Sequence, residues 1–403
     1  PTGLQNPFRS GAPALAVAAG DRVAVDIARD LAAAREAASP QVRLSAGIRT
    51  RSGSPGLDAM TELSAEIEGR IPAGRIGGQF VARITPVTLS GGELPGDLGQ
   101  IRRFGANALT GPPPGFGFSR AGSGGAQGVG LAVGYERDGF SVDVGTTPLG
   151  FRQQNIVGGI ELSPEIATGL RVRLTAERRA MTDSVLAWSG AFDPITGRSW
   201  GGAVRTGGRV QVEYTDGALG LYVGGGYYRI DAREVPRNSR IEAGAGMSYA
   251  LWRSPEDELV LGADAVFLAY DQNLRHFTYT HGGYFSPQSY AALNFPVDYR
   301  ARSGDLSWRV GATVGFSSWR EDRAPFFPGS PSLQGNLEAQ AAGDPTLETH
   351  FAGRSTTGFG GQLRGDIEYR LRPNLSIGGL FRHDRSADWN ETRALLFTRY
   401  RFD

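Results

Sequence analysis

From residue 41 to the C-terminus, the apolar residues of this chain recur with a period of two. In QVRLSAGIRTR (41–51), Val42, Leu44, Ala46 and Ile48 fall on one face, and Arg43, Ser45, Gly47 and Arg49 on the other. In GLRVRLTAERR (169–179), Leu170, Val172, Leu174 and Ala176 oppose Arg171, Arg173, Thr175 and Glu177. In QLRGDIEYRL (362–371), Leu363, Gly365, Ile367 and Tyr369 oppose Arg364, Asp366, Glu368 and Arg370. Successive side chains of a strand point to opposite sides of its sheet. The pattern therefore predicts an all-β chain whose strands carry one apolar and one charged face. Helical spacing is confined to 21–40, where Val23, Ile27 and Leu31 form a stripe, Asp21 supplies an N-cap and Pro40 follows the end. Residues 1–20, rich in Gly, Pro and Ala, read as a linker.

Sixteen strands are expected, near 41–51, 60–70, 75–87, 127–136, 139–147, 155–163, 169–180 and 203–214 in the first half. The second half supplies 218–229, 240–251, 258–270, 288–301, 305–318, 355–371, 375–383 and 392–402. Their connections sort by length. Short turns such as PAG, RD, TDG, SGD and RPN alternate with long segments at 88–126, 181–202, 271–287 and 319–354. A transmembrane β-barrel has this asymmetry, with short periplasmic turns and long extracellular loops. An even strand count returns both ends of the barrel to the periplasmic side, together with the 21–40 helix. Tyr135, Phe140, Tyr214, Tyr249, Tyr299, Trp308, Tyr369 and Tyr400 fall on the apolar face near short turns, as an interfacial aromatic girdle requires.

Composition narrows the function classes. Cysteine is absent, which removes disulfides and thiolate metal sites. Basic and acidic residues balance at 42 to 41, against a nucleic-acid partner. Every basic residue is Arg, which fits either codon bias or a demand for fixed planar donors. No apolar run reaches the roughly 20 residues of a membrane-spanning helix. The chain starts at Pro1 without a signal-peptide pattern and is expected to be a mature fragment or the C-terminal piece of a longer protein. At about sixteen strands a barrel is wide enough for an aqueous channel. Its expected inward lining is Arg43, Arg49, Glu62, Glu66, Arg83, Arg171, Arg173, Glu177, Asp264, Arg364, Asp366 and Glu368.

Four segments carry a family resemblance: IRTRSGSPGLDAMTEL (48–63), ARITPVTL (82–89), MTDSVLAWSGAFDPITGRSWGGAVRTGG (181–208) and THGGYFSPQSY (280–290). They are similar to recurring segments of the C-terminal outer-membrane barrel in the bacterial cellulose synthase operon protein C family. The resemblance covers the chain from about residue 41 onward. It implies a monomeric barrel in outer-membrane lipid that exports cellulose made by the inner-membrane synthase, with no cofactor and no nucleic-acid partner. It also implies a preceding array of tetratricopeptide repeats that contacts periplasmic and synthase components. The 21–40 helix resembles the end of that array, so domains are expected at 1–40 and 41–403. The array itself is missing from this sequence, and Phe402 is followed by Asp403 where such barrels usually end on an aromatic residue.

HGGYFSPQSY (281–290) falls in a long outer connection. Aromatic rings can stack on pyranose faces. Phe277, Tyr279, His281, Gly282, Gly283, Tyr284, Phe285 and Tyr290, with Trp188 and Trp200 of a second outer loop, are the expected glucan-contacting or gating residues. The competing reading is a loop packed on its neighbours as a small core of its own. The Gly-rich run 109–128 reads as a flexible loop, because it lacks the strand, helix and Lys of a phosphate loop. Other functions stay open at this point: a different polysaccharide exporter or general porin, a barrel hydrolase built on His281 with Ser286 or Asp271, and a soluble carbohydrate-binding β-protein.

Overall fold

The computed structural model describes residues 6–8, 39–109, 122–386 and 389–402. The helix expected over 21–40 lies, but for its last two residues, outside the described residues, as does most of the Gly-rich run 109–128.

The period-two segments form sixteen long strands: β1 (Gln41–Arg51), β2 (Met60–Pro72), β3 (Gln79–Ser90), β4 (Gly125–Arg137), β5 (Phe140–Thr146), β6 (Ile156–Leu162), β7 (Leu170–Ala180) and β8 (Arg198–Asp216). The rest are β9 (Leu219–Arg233), β10 (Asn238–Arg253), β11 (Asp257–Tyr270), β12 (Ser289–Ser303), β13 (Leu306–Glu321), β14 (Arg354–Arg372), β15 (Leu375–Arg385) and β16 (Asn390–Arg401). Each pairs antiparallel with the next. β1 also pairs with β16, from Gln41 opposite Arg401 to Arg51 opposite Glu391, so the sheet closes into a barrel. Closure leaves no strand edge, the condition for a sheet in hydrocarbon.

One end of the barrel carries only short turns among the described residues: 73–78, 138–139, 163–169, 217–218, 254–256, 304–305 and 373–374. Three of the four two-residue turns rest on glycine at positive φ, namely Gly139 (φ 70), Gly217 (φ 53) and Gly304 (φ 58). Among the described residues, the other end carries 52–59, 91–109, 122–124, 147–155, 181–197, 234–237, 271–288, 322–353, 386 and 389. The helices also lie there: α1 (Leu98–Ile101), α2 (Val185–Ser189) and α3 (Pro331–Gly343). None is long and apolar enough to cross a membrane; the strands cross it.

Large apolar side chains point away from the lumen and stay bare, with Leu44 51%, Val223 57% and Leu396 73% exposed. A continuous apolar belt of this extent has no place in water and fits an acyl-chain layer. The eight aromatics expected as a girdle lie on this outer face near the short turns. Tyr135 packs between Phe80 (5.5 Å) and Phe140 (6.0 Å), and Tyr299 against Trp308 (5.1 Å). Tyr135 Oη donates to Gly77 O at 2.8 Å, and Tyr299 Oη to Asp257 Oδ2 at 2.9 Å. Each ring thus has an apolar body and a polar tip, as an interface favours.

Val223→Arg, an outward charge in mid-strand, is expected to cost ~2–4 kcal/mol of folding free energy. Reversible urea unfolding in phospholipid checks this. An unchanged midpoint would place Val223 outside the hydrocarbon.

Candidate functional site: the lumen and its packed mouth

The inward positions form ladders of Arg against carboxylate. Glu68 holds Arg70 at 2.8 Å and Arg83 at 2.6 Å, and both arginines reach Glu136. Arg173 binds Glu213 at 2.8 Å and also Glu161. Arg205 reaches Glu177 at 2.9 Å, while Arg364 Nε lies 2.9 Å from Asp298 Oδ1 and Arg399 meets Glu368. Glu66 accepts from Thr85 at 3.3 Å, and Asp264 from Tyr222 at 2.6 Å. Arg171 sits across the ladder from Glu213, and Asp366 across from Arg309. The Arg43 guanidinium lies 4.4 Å from the centroid of the inward-facing Phe397 ring. Such pairing holds water and fixes side-chain positions while leaving little net field.

Arg49 does something else. It pairs with Glu62 at 3.3 Å and Glu391 at 3.9 Å, and donates to the Thr182 carbonyl. It therefore ties the wall to the 181–197 loop. Between wall and loop lies a cavity of about 490 Å³, bounded by Met181, Thr182 and Asp183 above and by Arg209, Asp264, Asn294 and Arg364 at the side.

The mouth at the long-loop end is filled by a second hydrophobic core, with α2 at its centre. Ser184 caps α2, its Oγ accepting from Ala187 N at 3.1 Å. Three successive residues of α2 then enter three clusters. Val185 packs with Met60, Val87 and Leu89 of β2 and β3. Leu186 packs with Phe104, Phe277, Tyr279 and Phe327 of the loops, Trp200 at the start of β8 and Leu337 of α3. Ala187 packs with Ile230, Leu268, Tyr290 and Trp319 on β9 and β11–β13. Those two stretches of wall face each other across the barrel, so the packing spans the mouth.

The segment 271–288 runs through this core. Ser184 Oγ donates to Gly283 O at 2.7 Å, and Trp200 Nε1 to His281 O at 3.1 Å. Gly283 (φ 66) has no room for a side chain: a Cβ would lie 2.9 Å from Ser184 Oγ and 3.0 Å from Leu186. A Cβ on Gly282 would strike the Tyr284 ring at 2.3 Å. Phe351 is stacked between His276 (3.6 Å) and Phe326 (4.2 Å).

These positions separate the two expected roles of the aromatic residues, since buried rings can close the mouth but offer no open face there. Phe277, Tyr279, Tyr284, Tyr290, Trp200 and His281 are buried, with their faces against protein. Phe285 is half-buried between Tyr290 and Trp319, and Trp188 lies edge-on to Phe151 at 5.7 Å. None presents a free platform to a sugar at the mouth. The loop packed as its own core is the arrangement found, because flat apolar rings gain more by covering one another than by facing water. Sequence periodicity misses this lid, since α2 is too short to show a helical period and Phe104, Phe326 and Phe351 lie in irregular loops.

The hydrolase constellation does not assemble. His281 Nε2 faces Pro325 O at 2.9 Å, Ser286 Oγ accepts from Leu274 N at 2.8 Å, and Asp271 is taken by Ser239. A triad needs these groups bonded to one another. Among the described residues no cluster of His and carboxylates could hold a metal ion.

A family model described as the C-terminus of cellulose synthase operon protein C matches residues 58–403. A cellulose synthase 2 operon protein C of Komagataeibacter xylinus is 32% identical over 93% of this chain and 28% of its own length. Cellulose synthase operon protein C of Pseudomonas fluorescens (strain SBW25) is 32% identical over 88% of this chain and 26% of its own. The chain thus spans less than a third of these relatives. A solved bacterial polysaccharide outer membrane secretin superposes with a TM-score of 0.54 at 10% identity, covering 91% of this chain and 99% of that one, a likeness of fold.

Two predictions follow from the lid. Trp200→Ala leaves a hole at its centre worth ~3–5 kcal/mol, and it should turn a silent barrel into a conducting one in planar bilayers. Continued silence from inserted protein would mean that another barrier closes the lumen. Burial pushes His281 down to about 4 and His276 well below the usual imidazole range, the latter helped by His281 and then by Arg275, Arg354 and Arg103. Both rings favour the neutral form when packed. Their contribution to closure is complete above pH ~6.5 and is lost as pH falls towards about 4. Opening events should therefore rise on acidification, and His276→Phe/His281→Gln should flatten that rise. A wild-type record independent of pH would refute it.

Proposed function

The chain belongs to the family of cellulose synthase operon protein C C-termini, and from that premise we propose that it is the outer-membrane conduit for a nascent β-1,4-glucan. The short turns then face the periplasm and the long loops face outward. A neutral polymer needs width, water and no deep well, with binding weak enough for release. The observation that carries the reading is the charge-paired inner wall. Arg–carboxylate ladders supply donors and acceptors to hydroxyl groups, while their mutual neutralisation keeps the field low. A strongly acidic polymer would call for a net-positive lumen, which Glu68, Glu161, Glu213 and Asp298 oppose.

The core around α2 acts as the gate in this proposal. Its occlusion of the mouth keeps small solutes from leaking when no polymer is present. The barrel needs no nucleotide, because polymer synthesis in the inner membrane drives the chain outward. Contact with periplasmic and synthase components would run through the parts of the relatives that lie beyond this chain.

Single-channel recording tests the proposal. The barrel with 271–287 replaced by a short turn should conduct, and cellohexaose should block it in a concentration-dependent way that maltohexaose does not match. A variant that conducts without sugar-dependent blockade would favour a general porin. Turnover of a lipid or glycan ester would revive the hydrolase.

A further inference from the structure

On the inner wall, β9 and β10 bring two glycines face to face. Gly224 is the ladder partner of Gly244, flanked by Gly226 opposite Glu242 and by Gly246 opposite Tyr222. Without Cβ atoms this part of the wall is bare backbone, a window set among charged neighbours.

Phe8 occupies the window and is 1% exposed. An added Cβ on Gly244 would fall 2.4 Å from Phe8 Cδ2 and 2.9 Å from Cε2. On Gly224 it would fall 2.8 Å from Cδ1 and 2.9 Å from Cε1. The ring therefore lies against both strands at a distance that only glycine allows. The Arg209 guanidinium sits 5.3 Å from its centroid. Polar contacts complete the seat. Gln211 Nε2 donates to the Phe8 carbonyl at 2.8 Å. Asn6 Nδ2 donates to Tyr222 Oη, whose own hydrogen goes to Asp264 Oδ1. Asn6 Oδ1 accepts from Phe8 N at 2.9 Å, an Asx turn with Pro7 inside it. Ring, carbonyl and side-chain amide are all matched by groups from β8, β9 and β10.

We propose that this window is a peptide-binding slot, that its ligand is the chain's own Asn6–Pro7–Phe8, and that the seated segment and a passing glucan compete for the lumen. The third part rests on the conduit reading above, whereas the first two do not. Asn6 and Pro7 border the same cavity as Arg209, Asp264 and Arg364, so the seated segment occupies space on the polymer's path. The segment is covalently joined to β1, which begins at the short-turn end, so it stays at high local concentration after displacement. The slot then narrows the polymer's path beneath the lid in a reversible way, without sealing the lumen to ions.

Residues 1–403 contain no cysteine, so paired replacements within this chain report on proximity without background. Pro7→Cys/Asn294→Cys, which keeps the Phe8 ring and both glycines and pairs two residues of the same cavity, would be treated in membranes with a short bifunctional thiosulfonate. Pro7→Cys/Gly130→Cys serves as the control, because Gly130 faces inward on β4. Linking of the first pair about tenfold faster than the control is expected, as tethered proximity gives. Equal rates in two barrels of the same heat-resistant mobility would overturn the slot. Cells holding the linked pair should then lose glucan export until reductant restores it. Normal export from linked protein would overturn the competition and leave the slot standing. Export from cells that lack the protein altogether would remove the conduit reading, while the linking rates would still decide the slot.

Discussion

Hydrocarbon offers no partner for a backbone amide or carbonyl, and the rest of the structure follows from that. A strand in lipid must be paired on both sides, so the sheet must return to its start, as β16 does on β1. Closure fixes an inside and an outside, and the period of two assigns each residue to one of them. Leu44 and Arg43 are neighbours in sequence and meet opposite solvents. A one-residue slip at any ladder would put arginines in lipid, so the alternation that selects the fold also fixes its register.

The inner wall then has to manage its charges. The lumen is wet but narrow, and a lone ion half-removed from water is costly. Pairing across adjacent strands solves this, as with Arg83 and Glu68 on β3 and β2 or Arg173 and Glu213 on β7 and β8. The same pairs stiffen the wall and remove the field that would trap or repel a charged cargo. In the proposed conduit, stability and permissive transport therefore draw on one set of contacts.

The long loops at the mouth face a different problem. They carry aromatic and aliphatic residues with no lipid to receive them, and they bury these on one another. α2 suits the centre of that packing because its consecutive side chains diverge by about 100° and so enter three clusters at once. Trp200, His281 and Gly283 are held there by buried hydrogen bonds, which makes the lid ordered. The two neutral imidazoles, 5.1 Å apart, are tolerated because each is packed among rings and backbone and is not asked to carry charge.

The strands, their number, the barrel, its polarity and the girdle at Tyr135, Tyr299 and Tyr400 were legible in the sequence, because each depends on local alternation or on the length of a connection. The inward direction of Arg364 or Glu177 was legible for the same reason, but which carboxylate each would meet was not, since partners such as Asp298 lie on other strands. The aromatic residues of 271–290 left two readings open, because an aromatic ring has the same signature whether it faces a sugar or a neighbouring loop. The glycine window was also hidden. GGG in β9 and GAG in β10 read as weak strand, and only the ladder that sets Gly224 beside Gly244 and Phe8 upon both turns them into a seat. Sequence by itself determined what alternation can encode, namely which solvent each side chain meets. Tertiary structure decided what depends on distances across the lumen and the mouth, because side chains far apart in the chain meet there only once the barrel has closed.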